Sequence, residues 1–90
     1  MNNMPTIVVH CKKQQFDVYI GRPSKWGNPF PISLGRKECI EQYAKWILKQ
    51  PQLLADLPEL VDKRLGCFCA PLACHGDILA RLANNLKGGM

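Results

Sequence analysis

The chain has 90 residues, room for one domain (residues 1–90) and not two, and none of its apolar runs approaches the roughly 18–20 residues of a membrane span. An apolar fraction of 47% argues against disorder, and the start, Met1-Asn2-Asn3-Met4-Pro5, lacks the charged and apolar regions of a signal peptide, so no membrane and a cytoplasmic residence are expected. Twelve Lys and Arg against seven Asp and Glu leave a net charge of +5. That excess favours an anionic partner, a nucleotide or nucleic acid, although ordinary solubility charge accounts for it as well.

Thr6 to Cys11 is a β-branched apolar run that reads as a buried strand. Lys12 to Gln15 interrupts it, and Phe16 to Ile20 is again rich in strand formers. Between Gly21 and Pro31, three prolines and two glycines forbid helix or a central strand, so Gly21–Phe30 is a loop. Arg36 to Gln50 is the clearest helix, with Cys39, Ile40, Tyr43, Ala44 and Ile47 on one face. Pro51 to Asp56 and Pro58 to Val61 read as short helical turns, Arg64 to Cys69 as a strand, and Asp77 to Lys87 as a last helix.

A strand that follows a helical crossover lies parallel to an earlier one. The expected fold is therefore α/β: a small, mostly parallel three-stranded sheet with helices packed on it. Ligands of such sheets bind beyond the carboxyl ends of the strands. The two loops that leave those ends, Gly21–Phe30 and Ala70–Gly76, should then face each other across a cleft.

The second segment carries the densest chemistry, with three of the five cysteines and one of the two histidines between Cys67 and His75. Five is an odd count, and a reducing compartment keeps thiols free, so a disulfide scaffold is disfavoured. Two functional readings compete. In one, Cys74 is a thiol activated by the free amides and dipole of the helix behind it, the most reactive in the chain, with His75 as its catalytic partner. Gly76 and Asp77 would open that helix, and its amides would bind a phosphate. In the other, Cys67, Cys69, Cys74 and His75 are zinc ligands, although C-x-C-x4-C-H lacks the separated pairs of common zinc folds. Burial of Cys67 and Cys69 as small apolar residues remains open.

In the first segment Arg22 and Lys25 are cations on a stiff loop, Trp26 offers a face for a base, and Gly27 and Asn28 tolerate the backbone conformations that expose amides. A turn pinned by Trp26 and Phe30 is the alternative. The preferred expectation is a nucleotide or nucleic-acid phosphate held by Gly21, Arg22, Lys25, Trp26, Gly27, Asn28, Pro71, Gly76 and Asp77, with Cys74 and His75 adding chemistry. The second is a zinc-stabilised interaction module, for example a phage product that occupies a host protein.

Tyr19-Ile20-Gly21-Arg22-Pro23-Ser24-Lys25-Trp26-Gly27-Asn28-Pro29-Phe30 and Cys67-Phe68-Cys69-Ala70-Pro71-Leu72-Ala73-Cys74-His75-Gly76-Asp77 together resemble the domain of unknown function 4326 family. Its members look like short bacterial and phage proteins. The resemblance implies a compact α/β domain, a minimal relative of Rossmann-like nucleotide-handling folds, and leaves the activity open.

Overall fold

A computed structural model describes residues 5–70 and 72–88. Its elements run β1 (Ile7–His10), β2 (Val18–Tyr19), a 3-10 turn (Ile32–Leu34), α1 (Arg36–Ile47), α2 (Pro51–Asp56), a second 3-10 turn (Leu57–Leu60), β3 (Arg64–Cys67) and α3 (His75–Gly88). The strands form one sheet in the order β1-β3-β2, and β3 pairs parallel with both neighbours. Val8 and Val18 both stand opposite Leu65, and Val9 and Tyr19 both stand opposite Gly66.

The two faces of the sheet are covered differently. On one, Leu65 and Cys67 join a core with Ile20, Trp26, Tyr43, Ile47, Leu60, Ile78, Leu79 and Ala83, drawn from α1, α3, the second 3-10 turn and the first loop. On the other, the β1–β2 connection recrosses the sheet and lays Phe16 over Gly66. A Cβ on Gly66 would come within 2.6 Å of that ring, which is why the central strand carries a glycine there.

The strands are shorter than their sequence patterns because neighbouring groups are bonded elsewhere. The Thr6 N–H donates to Asn84 Oδ1 of α3 at 2.8 Å, and its hydroxyl donates to the Leu60 carbonyl at 2.7 Å. Thr6 thus ties the sheet edge to two helical elements instead of extending β1. At the other end β3 stops at Cys67, and the Leu72 N–H closes a turn on the Cys69 carbonyl at 2.8 Å. α1 ends at Ile47 and not Gln50, its last amides, Lys49 and Gln50, bonding three residues back to Trp46 and Ile47.

α3 begins two residues earlier than the periodicity of its apolar face, at His75. A capping box sets that start: Cys74 Sγ accepts the Gly76 N–H at 3.3 Å, and the Asp77 carboxylate accepts the Cys74 N–H at 3.2 Å. Gly76 lets this helix end press onto the sheet, since a Cβ there would meet Ile20 at 2.6 Å and Val8 at 3.1 Å. No helix among the described residues is long and apolar enough to cross a membrane.

Candidate functional site

Because β2 and β3 run parallel, the chain leaves both at the same edge of the sheet. The two loops meet there and, with the first turn of α1, enclose a cavity of about 610 Å³. Gly21, Arg22, Asn28 and Phe30 line it from the first loop, Cys67, Cys69, Ala73, Cys74 and His75 from the second, and Arg36, Cys39 and Ile40 from α1. Tyr19, Ile32 and Phe68 add apolar surface.

The first loop holds its shape through its own polar groups, with a cis Arg22–Pro23 bond. The Ser24 N–H donates to the Gly21 carbonyl at 2.9 Å, the Gly27 N–H to the Ser24 carbonyl at 3.0 Å, and the Phe30 N–H to Asn28 Oδ1 at 2.9 Å. Arg22 reaches across the bend, donating to the Asn28 carbonyl at 2.8 Å and the Phe30 carbonyl at 3.2 Å. Arg36 stands opposite and donates to the Ala73 carbonyl at 2.9 Å. These bonds fix both guanidinium groups and leave each with N–H donors to spare. Among the described residues neither arginine pairs with a carboxylate, and no Asp or Glu lines the cavity.

Several expected binding residues face elsewhere. Trp26 is 2% exposed, and its carbonyl accepts a hydrogen bond from the Tyr43 hydroxyl at 2.8 Å, so it anchors the loop in the core and offers no stacking face. Lys25 lies over that ring, 5.3 Å from its centre, and pairs with Asp56 at 2.9 Å and Glu59 at 3.0 Å. Its charge is spent on α2 and the turn after it. Gly27 lies outside the cavity with its N–H committed, and neither it nor Asn28 has a positive φ. Gly76 is buried against Ile20 and Val8, and the amides of Cys74, Gly76 and Asp77 are occupied by the capping box and the first helical turn, so these three donors at the start of α3 are already engaged. Pro71 lies outside the described residues.

Cys74 also departs from expectation. It is 4% exposed, and its sulfur lies 3.4 Å from that of Cys67. Burial first, and then the neighbouring Cys67 thiol, push Cys74 up to about 12, outweighing the Gly76 N–H that favours a thiolate. The expected activated nucleophile is a protonated, enclosed thiol. His75 is buried too; burial holds its pKa below the usual imidazole range, and the charge of Arg22 acts in the same direction. Its Nε2 donates to the Ile20 carbonyl at 2.8 Å, and its ring lies edge-on to Tyr43 at 5.0 Å. The Cys67, Cys69 and Cys74 sulfurs all lie within 4.8 Å of one another, and His75 stands outside that group.

The residue that sequence reasoning missed is Arg36. It opens α1, where the helix dipole disfavours a cation. A positive charge at a helix start, with Glu38 rather than Arg36 satisfying the dipole, is the signal that could have found it.

The fold and site define a small parallel α/β domain whose strand ends open on a cavity walled by arginine and cysteine. The chain belongs to the family described as Domain of unknown function (DUF4326), whose model matches residues 8–85. It is 39% identical over 84 residues to an uncharacterised 12.4 kDa protein in the nrdA-td intergenic region of Enterobacteria phage T4, covering 88% of this chain and 78% of that one. It is 38% identical over 100 residues to an uncharacterised protein of Acanthamoeba polyphaga mimivirus, covering 89% of this chain and 72% of that one. No solved structure matches.

Proposed function

We propose that the cavity binds a nucleotide through its phosphate. The observation that carries this reading is the pair Arg22 and Arg36, both on the wall, both held by backbone carbonyls, and neither neutralised by a carboxylate. Fixed guanidinium groups with spare N–H donors are suited to the bidentate recognition of phosphate oxygens. A volume near 610 Å³ is of the size that takes a small-molecule ligand. The base would lie against Tyr19, Ile32 and Phe68, and Phe68 and Ile32 are 56% and 66% exposed. This reading places no chemistry on Cys74, whose thiol is buried and whose pKa burial raises.

The test is calorimetric titration of the protein with ADP, AMP and adenosine at low ionic strength. ADP should bind more tightly than AMP, adenosine should not bind measurably, and affinity should fall as salt rises. Arg36→Gln should weaken ADP by about 10- to 100-fold, the worth of one charged hydrogen bond. Adenosine binding as well as ADP, or an unchanged affinity in Arg36→Gln, would refute the assignment.

A further inference from the structure

We propose that Cys67, Cys69 and Cys74 form a three-thiolate site for Zn²⁺ whose fourth coordination position opens into the cavity. The inference stands on the sulfur geometry and does not depend on whether the cavity takes a phosphate. The three Sγ atoms lie within 4.8 Å of one another, and Cys67 and Cys74 are 3.4 Å apart. Zinc–sulfur bonds of about 2.3 Å in a tetrahedral site place sulfurs roughly 3.8 Å apart, a little more than the Cys67–Cys74 distance and inside the 4.8 Å limit that holds for all three. An ion could therefore be taken up with small side-chain movements.

The chain places the ligands economically. Cys67 ends β3, Cys69 follows two residues later beside the turn closed by Leu72, and Cys74 caps α3. Cys67 and Cys74 are core residues and Cys69 packs against them, and that packing brings the three sulfurs together at the cavity wall. The Gly76 N–H that donates to Cys74 Sγ is the kind of outer partner that supports a metal-bound thiolate. On binding, each of the three thiols releases its proton to solvent as its sulfur bonds to the ion. The centre then carries one net negative charge, and Arg22 and Arg36 leave the cavity positive around it.

Three protein ligands with one open position is the arrangement of reactive rather than purely structural zinc. His75 does not complete the set: its Nε2 is bonded to the Ile20 carbonyl, and neither ring nitrogen joins the sulfur cluster. All three cysteines line the cavity, so water or a ligand oxygen supplies the fourth donor from that side.

The test uses the whole protein, stripped with a chelator, reduced, and titrated with Zn²⁺ and, in a separate metal-free sample, with Co²⁺. One equivalent of Zn²⁺ should bind, and Co²⁺ should give a thiolate-to-metal charge-transfer band with visible bands that shift on adding azide. Cys69→Ser, at the half-buried ligand, should lower metal affinity at least 100-fold, while Cys11→Ser leaves it unchanged; circular dichroism confirms that both are folded. A folded, reduced wild-type protein without the charge-transfer band overturns the site, as does an undiminished band in Cys69→Ser. Visible bands indifferent to azide overturn the open fourth position.

Discussion

The two segments that wall the cavity are stabilised in opposite ways. The first, Gly21–Phe30, is pinned from within the core: Trp26 is buried, Tyr43 donates to its carbonyl, and Arg22 ties the bend through two carbonyls. The second, Cys67–Asp77, is held at its ends by β3 and by a helix cap, with sulfur packed between them. One loop presents a fixed cation, Arg22, on a frame pinned to the core, and the other presents soft ligands on a frame that a metal could tighten. Residues of similar chemical promise therefore have different fates. Arg22 faces the cavity while Lys25, three residues on, is absorbed by Asp56 and Glu59.

The comparison breaks most visibly at Trp26. Trp26→Ala should cost about 3–5 kcal/mol, the usual loss for a buried indole, and so a large share of a small domain's stability. Urea denaturation measures it. A loss below about 1 kcal/mol would mean that the loop does not depend on its buried ring.

The second segment yields a kinetic contrast. In metal-stripped, reduced protein at neutral pH, Cys74 should alkylate at least about tenfold more slowly than the half-buried Cys11, because it is buried and protonated. Peptide mass spectrometry after timed iodoacetamide treatment reads the order. Fast labelling of Cys74 would restore the activated-thiol reading.

Asp77→Ala removes the returning half of the cap and a negative charge at the start of α3, and should cost about 1 kcal/mol. The matching loss in the first loop, through Trp26, is several times larger, and that ratio expresses the difference between the two frames.

The smallest effect lies away from the cavity. Hydrogen bonds from Arg64 hold the Asp17 carboxyl below its usual range. Its folded pKa is lower than its unfolded one, so its contribution is present above about pH 4 and is lost as pH falls through the folded value. Asp17→Asn should therefore lower stability slightly at neutral pH and flatten the acid side of the stability curve. Thermal melts between pH 2 and pH 7 would show it, and an identical acid limb in the variant would contradict it.

Much of the frame was legible in the residues. The order of strands and helices, the parallel pairing of β3, and the meeting of the two loops at one edge all follow from periodicity and the crossover rule. The direction in which individual loop side chains point was not legible. An indole in a proline-rich loop has the same local sequence whether it covers a ligand or fills a core, and the partner that decides it, Tyr43, lies 17 residues away. Lys25 likewise meets its acids 31 and 34 residues on. The Cys74–His75 pair looked like one reactive unit because adjacent residues share a position in sequence. Cys74 instead turns to Cys67, and His75 turns to Ile20.

On the proposed reading, the positive charge of this protein is put to use at the strand-end cavity and not merely spread over its surface. A second basic depression, lined by Lys12, Lys13 and Arg64 beside the β1–β2 connection, provides an internal control, and there Arg64 is already paired with Asp17. The direct measurement is an amide chemical-shift titration of the isotope-labelled protein with ADP. The account predicts saturable shifts concentrated at Gly21, Arg22, Asn28, Arg36 and Ala73, with Lys12, Lys13 and Arg64 unmoved. Shifts centred on Lys12, Lys13 and Arg64, or spread without saturation, would contradict it.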